Sequence, residues 1–387
     1  MIGVIADDFS GAAEIGGLGL VYGLTVEICT VISTPLNADL LIVATDTRSM
    51  GENQAGKETK KIAEQLFPLH FDWIYKKTDS VMRGHILVEL IALLKAYHKE
   101  KALLVPSNPA LGRIIADGKY YINKKPLHET GFSEDPEFSI STSDVLSLLG
   151  KSKKIETCIL KKGQRIPERC IAIGEAKENI DLKYWASFVR DEIIPTGAAA
   201  FFEELLLKKG FKRIKPKKIS FPDFGPLSLY VLGSAYSNTR HTVREAKENG
   251  CYVSEMPDEL FYAKKNRSSL VDRWVCEILA AFKTQSRVVI AINQPPVNDA
   301  GFAQQLRKEI AVVVKKIHRE KCINEFFLEG GSTSFGIIQA LKFNRFVPTQ
   351  KLSPGVIRME VINSPDVHIT IKPGSYVWPE KIWNCHR

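Results

Sequence analysis

Two carboxylates stand side by side in Ala6-Asp7-Asp8-Phe9-Ser10-Gly11-Ala12, directly after an apolar run and directly before a stretch of small residues. An aspartate in such a turn can orient or deprotonate a bound hydroxyl, as an acid does when a phosphoryl group moves to an alcohol. Asp8 or Ser10 can equally cap a helix by accepting from first-turn amides. A second cluster, Lys76-Lys77-Thr78-Asp79-Ser80-Val81-Met82-Arg83-Gly84, packs two cations, an acid and two hydroxyls between apolar segments. Arg83 offers a planar fork that grips a carboxylate through two parallel hydrogen bonds, which suits a sugar acid, while Asp79 and Ser80 suit hydroxyls. A third run, Glu329-Gly330-Gly331-Ser332-Thr333, combines glycines that admit close backbone approach with a helix start whose amides face phosphate. Ser332 and Thr333 add hydroxyl donors there or serve as N-caps.

These clusters need strands and helices to hold them. Short apolar runs predict strands at 2–6, 25–30, 40–44, 73–76 and 102–105, with helical periodicity at 11–22, 53–66 and 84–97. Alternation of this kind predicts an α/β fold: two α/β domains, each with a mostly parallel sheet flanked by helices. The strand ends then carry Asp7-Asp8, Thr45-Asp46-Thr47-Arg48, Thr78-Asp79-Ser80 and Pro106-Ser107-Asn108, and ligands of open α/β sheets bind at such carboxyl ends. Beyond a proline-rich, charged stretch at 212–226, strands are expected at 227–232, 287–292 and 325–329, helices at 237–249, 300–319 and 332–341, and a hairpin over 355–372. The division expected is 1–215 for the acid and 227–387 for the nucleotide.

Composition narrows the function. A chain of 387 residues with 44% apolar and 25% charged residues supports two folded cores. Its net charge of +9 favours a small anion over nucleic acid, because the basic residues come in short scattered groups without interleaved aromatics. No apolar run is long enough to span a bilayer, so no membrane partner is expected. Seven singly spaced cysteines suggest reduced thiols in the cytoplasm, with neither a disulfide framework nor a metal site. Gly51-Glu-Asn-Gln-Ala-Gly56-Lys57 has P-loop spacing but continues with Glu58, which would repel phosphate. Gly17-Leu-Gly19 lacks the third glycine of a dinucleotide loop and reads as helix packing. His85 reads as a structural histidine.

Taken in order, Ala6-Asp-Asp-Phe-Ser-Gly-Ala12, Lys76 to His85, Pro106 to Gly118 with its Arg113 and Asp117, Asp135-Pro136, Gly233-Ser234-Ala-Tyr-Ser237, Glu329 to Ser334, Ser353-Pro-Gly-Val356 and Lys372-Pro-Gly374 resemble the four-carbon acid sugar kinase family, formerly DUF1537. The resemblance spans nearly the whole chain. It implies an ATP-dependent kinase, using magnesium, for erythronate-, threonate- or 3-oxo-tetronate-like acids. It also implies nucleotide contacts from Ser234, Ser237, Gly330, Gly331, Ser332, Thr333 and Gly374. One departure stands out: the family's Lys-x-Gly-x-Phe-Gly ending is Lys372-Pro-Gly-Ser-Tyr-Val377, without the last glycine.

The expected mechanism has Asp8 or Asp79 activating a hydroxyl, with Asp7, Ser10, Lys77, Thr78, Ser80, Arg83 and Gly84 around the acid. Magnesium-ATP would donate across an interdomain cleft, and domain closure would exclude water. A sugar-acid sensor that has lost catalysis, and an NAD-dependent dehydrogenase, are the rival readings. The sequence leaves the oligomeric state open, a homodimer included.

Overall fold

The computed structural model describes residues 1–33, 37–135, 138–214, 223–233, 238–295, 297 and 299–383. The chain divides into two compact units, Met1–Lys215 and Pro216–Arg387. Most of the proline-rich stretch expected to link two domains, residues 215–222, lies outside the described residues.

The N-terminal unit holds strands β1 (Ile2–Ala6), β2 (Val26–Cys29), β3 (Leu40–Ala44), β4 (Trp73–Lys77), β5 (Lys101–Val105), β6 (Arg113–Ala116), β7 (Lys119–Ile122), β8 (Lys125–Pro126), β9 (Glu156–Leu160), β10 (Cys170–Gly174) and β11 (Ile193–Gly197). Its helices are α1 (Phe9–Val21), α2 (Glu52–Leu66), α3 (Ile86–Ala96), α4 (Val145–Leu149), α5 (Asn179–Phe188) and α6 (Ala199–Lys208). The main sheet runs β2-β3-β1-β4-β11-β5-β10-β9, with every pair parallel. That arrangement explains why β1 and β3 read as unbroken apolar runs: every one of their residues is buried. A small antiparallel sheet, β6-β7-β8, stands apart from it.

The C-terminal unit holds β12 (Ser228–Leu232), β13 (Tyr252–Glu255), β14 (Arg287–Ala291), β15 (Glu325–Glu329), β16 (Arg345–Ser353), β17 (Val356–Val361) and β18 (Ser364–Lys372). Its helices are α7 (Asn238–Glu248), α8 (Asp258–Phe261), α9 (Arg267–Ala281), α10 (Ala300–Lys321) and α11 (Gly331–Leu341). Strands β13-β14-β12-β15-β18 are parallel, and β17 and β16 extend that sheet antiparallel. Its core stacks the rings of Tyr230, Phe327 and Trp383, with Tyr230 and Phe327 centroids 4.2 Å apart. Both units are therefore α/β with mainly parallel sheets, as expected. No helix among the described residues is long and apolar enough to cross a membrane.

Candidate active site

Parallel register decides which side chains meet in the N-terminal unit. Ala6 aligns with Ala44 on one side and with Lys77 on the other, so Asp7, Thr45 and Thr78 leave three neighbouring strands at one level. Arg48, in a single 3-10 turn at Thr47–Ser49, reaches into that level and is buried there. Its Nε donates to Asp7 Oδ2 at 2.9 Å, and its Nη1 and Nη2 face the two oxygens of Asp8 at 3.2 and 3.1 Å. Nη1 also lies 3.5 Å from Asp79 Oδ1. One cation thus bridges three buried carboxylates. Gly84, at φ +92°, leaves the room this needs, because a Cβ there would sit 3.1 Å from Arg48 Cγ.

Asp8 both caps a helix and belongs to this cluster. Its Oδ1 accepts from the Gly11 amide at 2.8 Å and its Oδ2 from Ser10 Oγ at 2.5 Å, which starts α1 at Phe9. Burial pushes its pKa up, but Arg48, Lys77, Ser10 and the Gly11 amide together pull it below the ordinary value. Asp79 is held harder still. Arg83 donates to it from Nε and Nη2, both at 2.9 Å, and the Arg83 and Val81 amides add 3.1 and 3.3 Å contacts. Burial alone would raise its pKa; Arg83 and Arg48 outweigh burial and keep it far below the carboxylate range.

The remaining expected residues divide between the site and its supports. Arg83 is already engaged by carboxylates of the chain, Asp79 and, through Nη1, Asp135 Oδ2 at 2.7 Å, whereas the sequence left its fork for a substrate. Its guanidinium and that of Arg113 lie over the Phe132 ring at 5.1 and 5.8 Å. Ser80 accepts from Arg113 Nη1 at 2.5 Å. Lys77 Nζ donates to the Thr78 carbonyl at 2.9 Å and lies 3.7 Å from Glu14. Lys76 points elsewhere, to Glu89 at 2.6 Å, with both side chains buried and Thr47 Oγ1 donating to the same carboxylate. That pair pins α3 beneath the site.

In the C-terminal unit, β15 is followed by Gly330, whose φ of +91° and ψ of 135° only glycine adopts cheaply. The Gly330 amide donates to the Lys372 carbonyl at 2.8 Å, and its carbonyl accepts from Ser334 Oγ at 2.7 Å. No side chain caps α11, so Gly331, Ser332 and Thr333 begin a helix in the state a phosphate-binding start requires. Gly233 ends against Thr333, where a Cβ would meet Thr333 Cγ2 at 3.0 Å. These residues fit a nucleotide's phosphates. Ser234 and Ser237 lie outside the described residues.

Below this turn, Glu329 accepts from Thr239 Oγ1 at 2.7 Å and Trp378 Nε1 at 3.1 Å, and faces Lys372 Nζ at 3.2 Å. Lys372 Nζ also donates to the carbonyls of Tyr376 at 2.7 Å and Pro373 at 3.2 Å, closing the loop that holds Gly374. Burial lowers the Lys372 pKa, and Glu329 only partly offsets that. The altered ending is thus a lysine-stapled loop in which the Tyr376 ring packs against Gly355.

The discounted motifs sit in ordinary roles. Gly51 caps α2 at an exposed position, Gly19 packs against Val26 and Leu40, and His85 Nε2 lies 2.6 Å from the Met50 carbonyl. Among the described residues, no group of three His, Cys, Asp or Glu is placed to hold a metal ion. The sequence reading left out the roles of Arg48, Glu89 and Arg113. Arg48 lay within a strand-end turn that had been marked, and Arg113 within a motif that had been quoted.

Comparison with known proteins follows the same division. A family model for a sugar-binding N-terminal domain matches residues 2–205, and one for a nucleotide-binding C-terminal domain matches residues 229–376. The chain belongs to the four-carbon acid sugar kinase family. Within that family it is 24% identical to a 3-oxo-tetronate kinase from Actinobacillus succinogenes, over 97% of this chain and 96% of the relative. It is 31% identical to a D-threonate kinase from Salmonella typhimurium over 39% of this chain and 37% of that protein. The solved structure of a Haemophilus influenzae DUF1537 protein shares the fold, with a TM-score of 0.68 at 20% identity over 99% of this chain and 98% of that one.

Proposed function

We propose that this chain transfers the γ-phosphoryl group of ATP to a hydroxyl of a four-carbon sugar acid of the threonate, erythronate or 3-oxo-tetronate type. The observation that carries the reading is the Arg48-centred cluster of Asp7, Asp8 and Asp79 at the carboxyl ends of parallel strands, on a chain that also carries an uncapped Gly330-Gly331 helix start. The names of the kinase relatives support it. The N-terminal unit, residues 1–215, takes the acid through Lys77, Thr78, Ser80 and the Arg83 region. The C-terminal unit, residues 227–387, takes the nucleotide, which arrives with magnesium.

Within this proposal Asp8 and Asp79 have different work. Phosphoryl transfer depends mainly on positioning and charge neutralisation, and both groups are strongly ionised and fully partnered. Asp8 fixes the start of α1, and Asp79 fixes Arg83. The six described cysteines, none of them in a disulfide, support a cytoplasmic setting as part of the same proposal. The test is ADP release over a panel of four-carbon sugar acids with magnesium-ATP. Turnover of at least one is expected, and turnover of none by folded protein would remove the substrate assignment.

A further inference from the structure

Three polar atoms at the carboxyl edge of the N-terminal sheet lack what their chemistry demands. Asp7 Oδ1, Thr78 Oγ1 and Ser107 Oγ are buried, and none has a hydrogen-bond partner among the described residues. The residues themselves are only 2%, 1% and 0% exposed. An unmade bond of this kind costs about 1–3 kcal/mol, so three at one edge call for a ligand that completes them. They follow the ends of β1, β4 and β5, and the Asp7 amide donates to the Lys77 carbonyl at 3.3 Å, placing Asp7 beside Thr78.

The contrast with the other acids of the cluster is chemical. Both oxygens of Asp8 and both of Asp79 accept hydrogen bonds or face a guanidinium, and Asp7 Oδ2 accepts from Arg48 Nε. Asp7 Oδ1 alone among these six oxygens has nothing. A carboxylate oxygen only accepts, whereas a threonine or serine hydroxyl both donates and accepts. Asp7 and Thr78, at the ends of neighbouring strands, therefore match adjacent hydroxyls of a carbon chain, while Ser107, two strands beyond Thr78, matches a polar group further along it.

Resting on the kinase reading above, we infer that Asp7, through Oδ1, takes the proton of the acceptor hydroxyl, while Thr78 binds the hydroxyl next to it and Ser107 a polar group further along the acid. In the step, the O–H bond breaks and its proton passes to Oδ1. The oxygen forms a bond to the γ-phosphorus, and the bond from that phosphorus to the bridging oxygen breaks, leaving its electron pair on ADP. Arg48, fixed on Oδ2, is a positioning residue that aims the other oxygen.

The experiment compares wild type, Asp7→Asn, Thr78→Val and Ser107→Ala for ADP release over the sugar-acid panel, calorimetric ATP affinity and thermal midpoint. Asp7→Asn is expected to lose at least about a hundredfold in kcat with ATP affinity unchanged. Thr78→Val and Ser107→Ala should weaken acid affinity about tenfold while the thermal midpoint holds or rises, since an unpartnered buried hydroxyl contributes nothing to folding. A purely structural hydroxyl would lower that midpoint and leave acid affinity alone. Asp7→Asn within about threefold of wild-type kcat would overturn the assignment of the base. Should Asp7→Asn fail to fold, unchanged acid affinity in the other two variants overturns the inference. A wild type that turns over no acid removes the kinase reading itself and this inference with it, whereas an active wild type with an active Asp7→Asn removes the inference only.

Discussion

In the N-terminal unit the candidate site is built from side-chain charge drawn from distant strands: Arg48 meets Asp7, Asp8 and Asp79, and Arg83 meets Asp79 and Asp135. In the C-terminal unit it is built from backbone, a glycine turn and an uncapped helix start within one short segment, supported by the buried Glu329–Lys372 pair. The difference follows from the ligands each would serve. A small hydroxylated acid must be told from its isomers, which takes many directional groups fixed in advance. Phosphate asks chiefly for amides and close approach, which a glycine supplies. The first design therefore fails when a charge is removed, and the second when a side chain is added.

The largest effect should come from Arg48→Met, which leaves three buried carboxylates facing one another. Denaturant titration should show a loss of about 3–5 kcal/mol, since removing one partner strands buried charge. Arg48→Lys should recover only part of this, because a point charge cannot span three carboxylates as a planar guanidinium does. An unchanged midpoint in Arg48→Met would show that the cluster does not organise the unit.

Gly330→Ala comes next. It forces an L side chain into a conformation costing about 1–3 kcal/mol and should raise the KM for ATP at least about tenfold, with acid affinity unaltered. Steady-state kinetics with each substrate varied in turn separates the two. A smaller effect is expected of Lys372→Met, which unstaples the 373–376 loop; ATP affinity should fall while kcat at saturating ATP stays close to wild type.

Mild acid should produce the smallest change, and it should come from the C-terminal unit. Burial lowers the pKa of His318 and, joined by Arg358, that of His368 below the ordinary 6.5. The unfolded chain then binds protons first as pH falls below that value, so stability declines on that side of it. Asp8 and Asp79 are lowered from 3.8, so their contribution is intact above that value and is lost as pH falls below it. Denaturation at a series of pH values should show a shallow decline below about 6.5 and a steeper one below about 4. Stability that stays flat down to about 4 would remove the histidine contribution.

Legibility in the sequence followed the range of the interactions. β1 and β3 were visible as unbroken apolar runs, β15 as a Phe-Phe-Leu stretch between Glu325 and Glu329, and the Gly330-Gly331 turn as a local pattern. Arg48 was not singled out because its partners lie about 40 residues before it and 31 after it, and only parallel register brings them to one level. The segment after β5 was read for its motifs but not for its strands: β6, β7 and β8 span only four, four and two residues. Two local signals were there. Asp117-Gly118, both at positive φ, closes the β6–β7 hairpin, and Asp181 accepts from the Lys177 and Glu178 amides at the start of α5. Asp8 shows that a cap and a charged site need not be alternatives. The sequence posed them as rivals, and the structure has one carboxylate doing both.

The most direct test of this division of labour is calorimetry on the full chain, titrating a turned-over sugar acid and, separately, magnesium-ATP into wild type, Thr78→Val and Gly330→Ala. Thr78→Val should lose acid affinity and keep ATP affinity, and Gly330→Ala should do the reverse. Loss of both ligands in either folded variant, or of the opposite ligand, would contradict an account in which acid and nucleotide are bound by separate units.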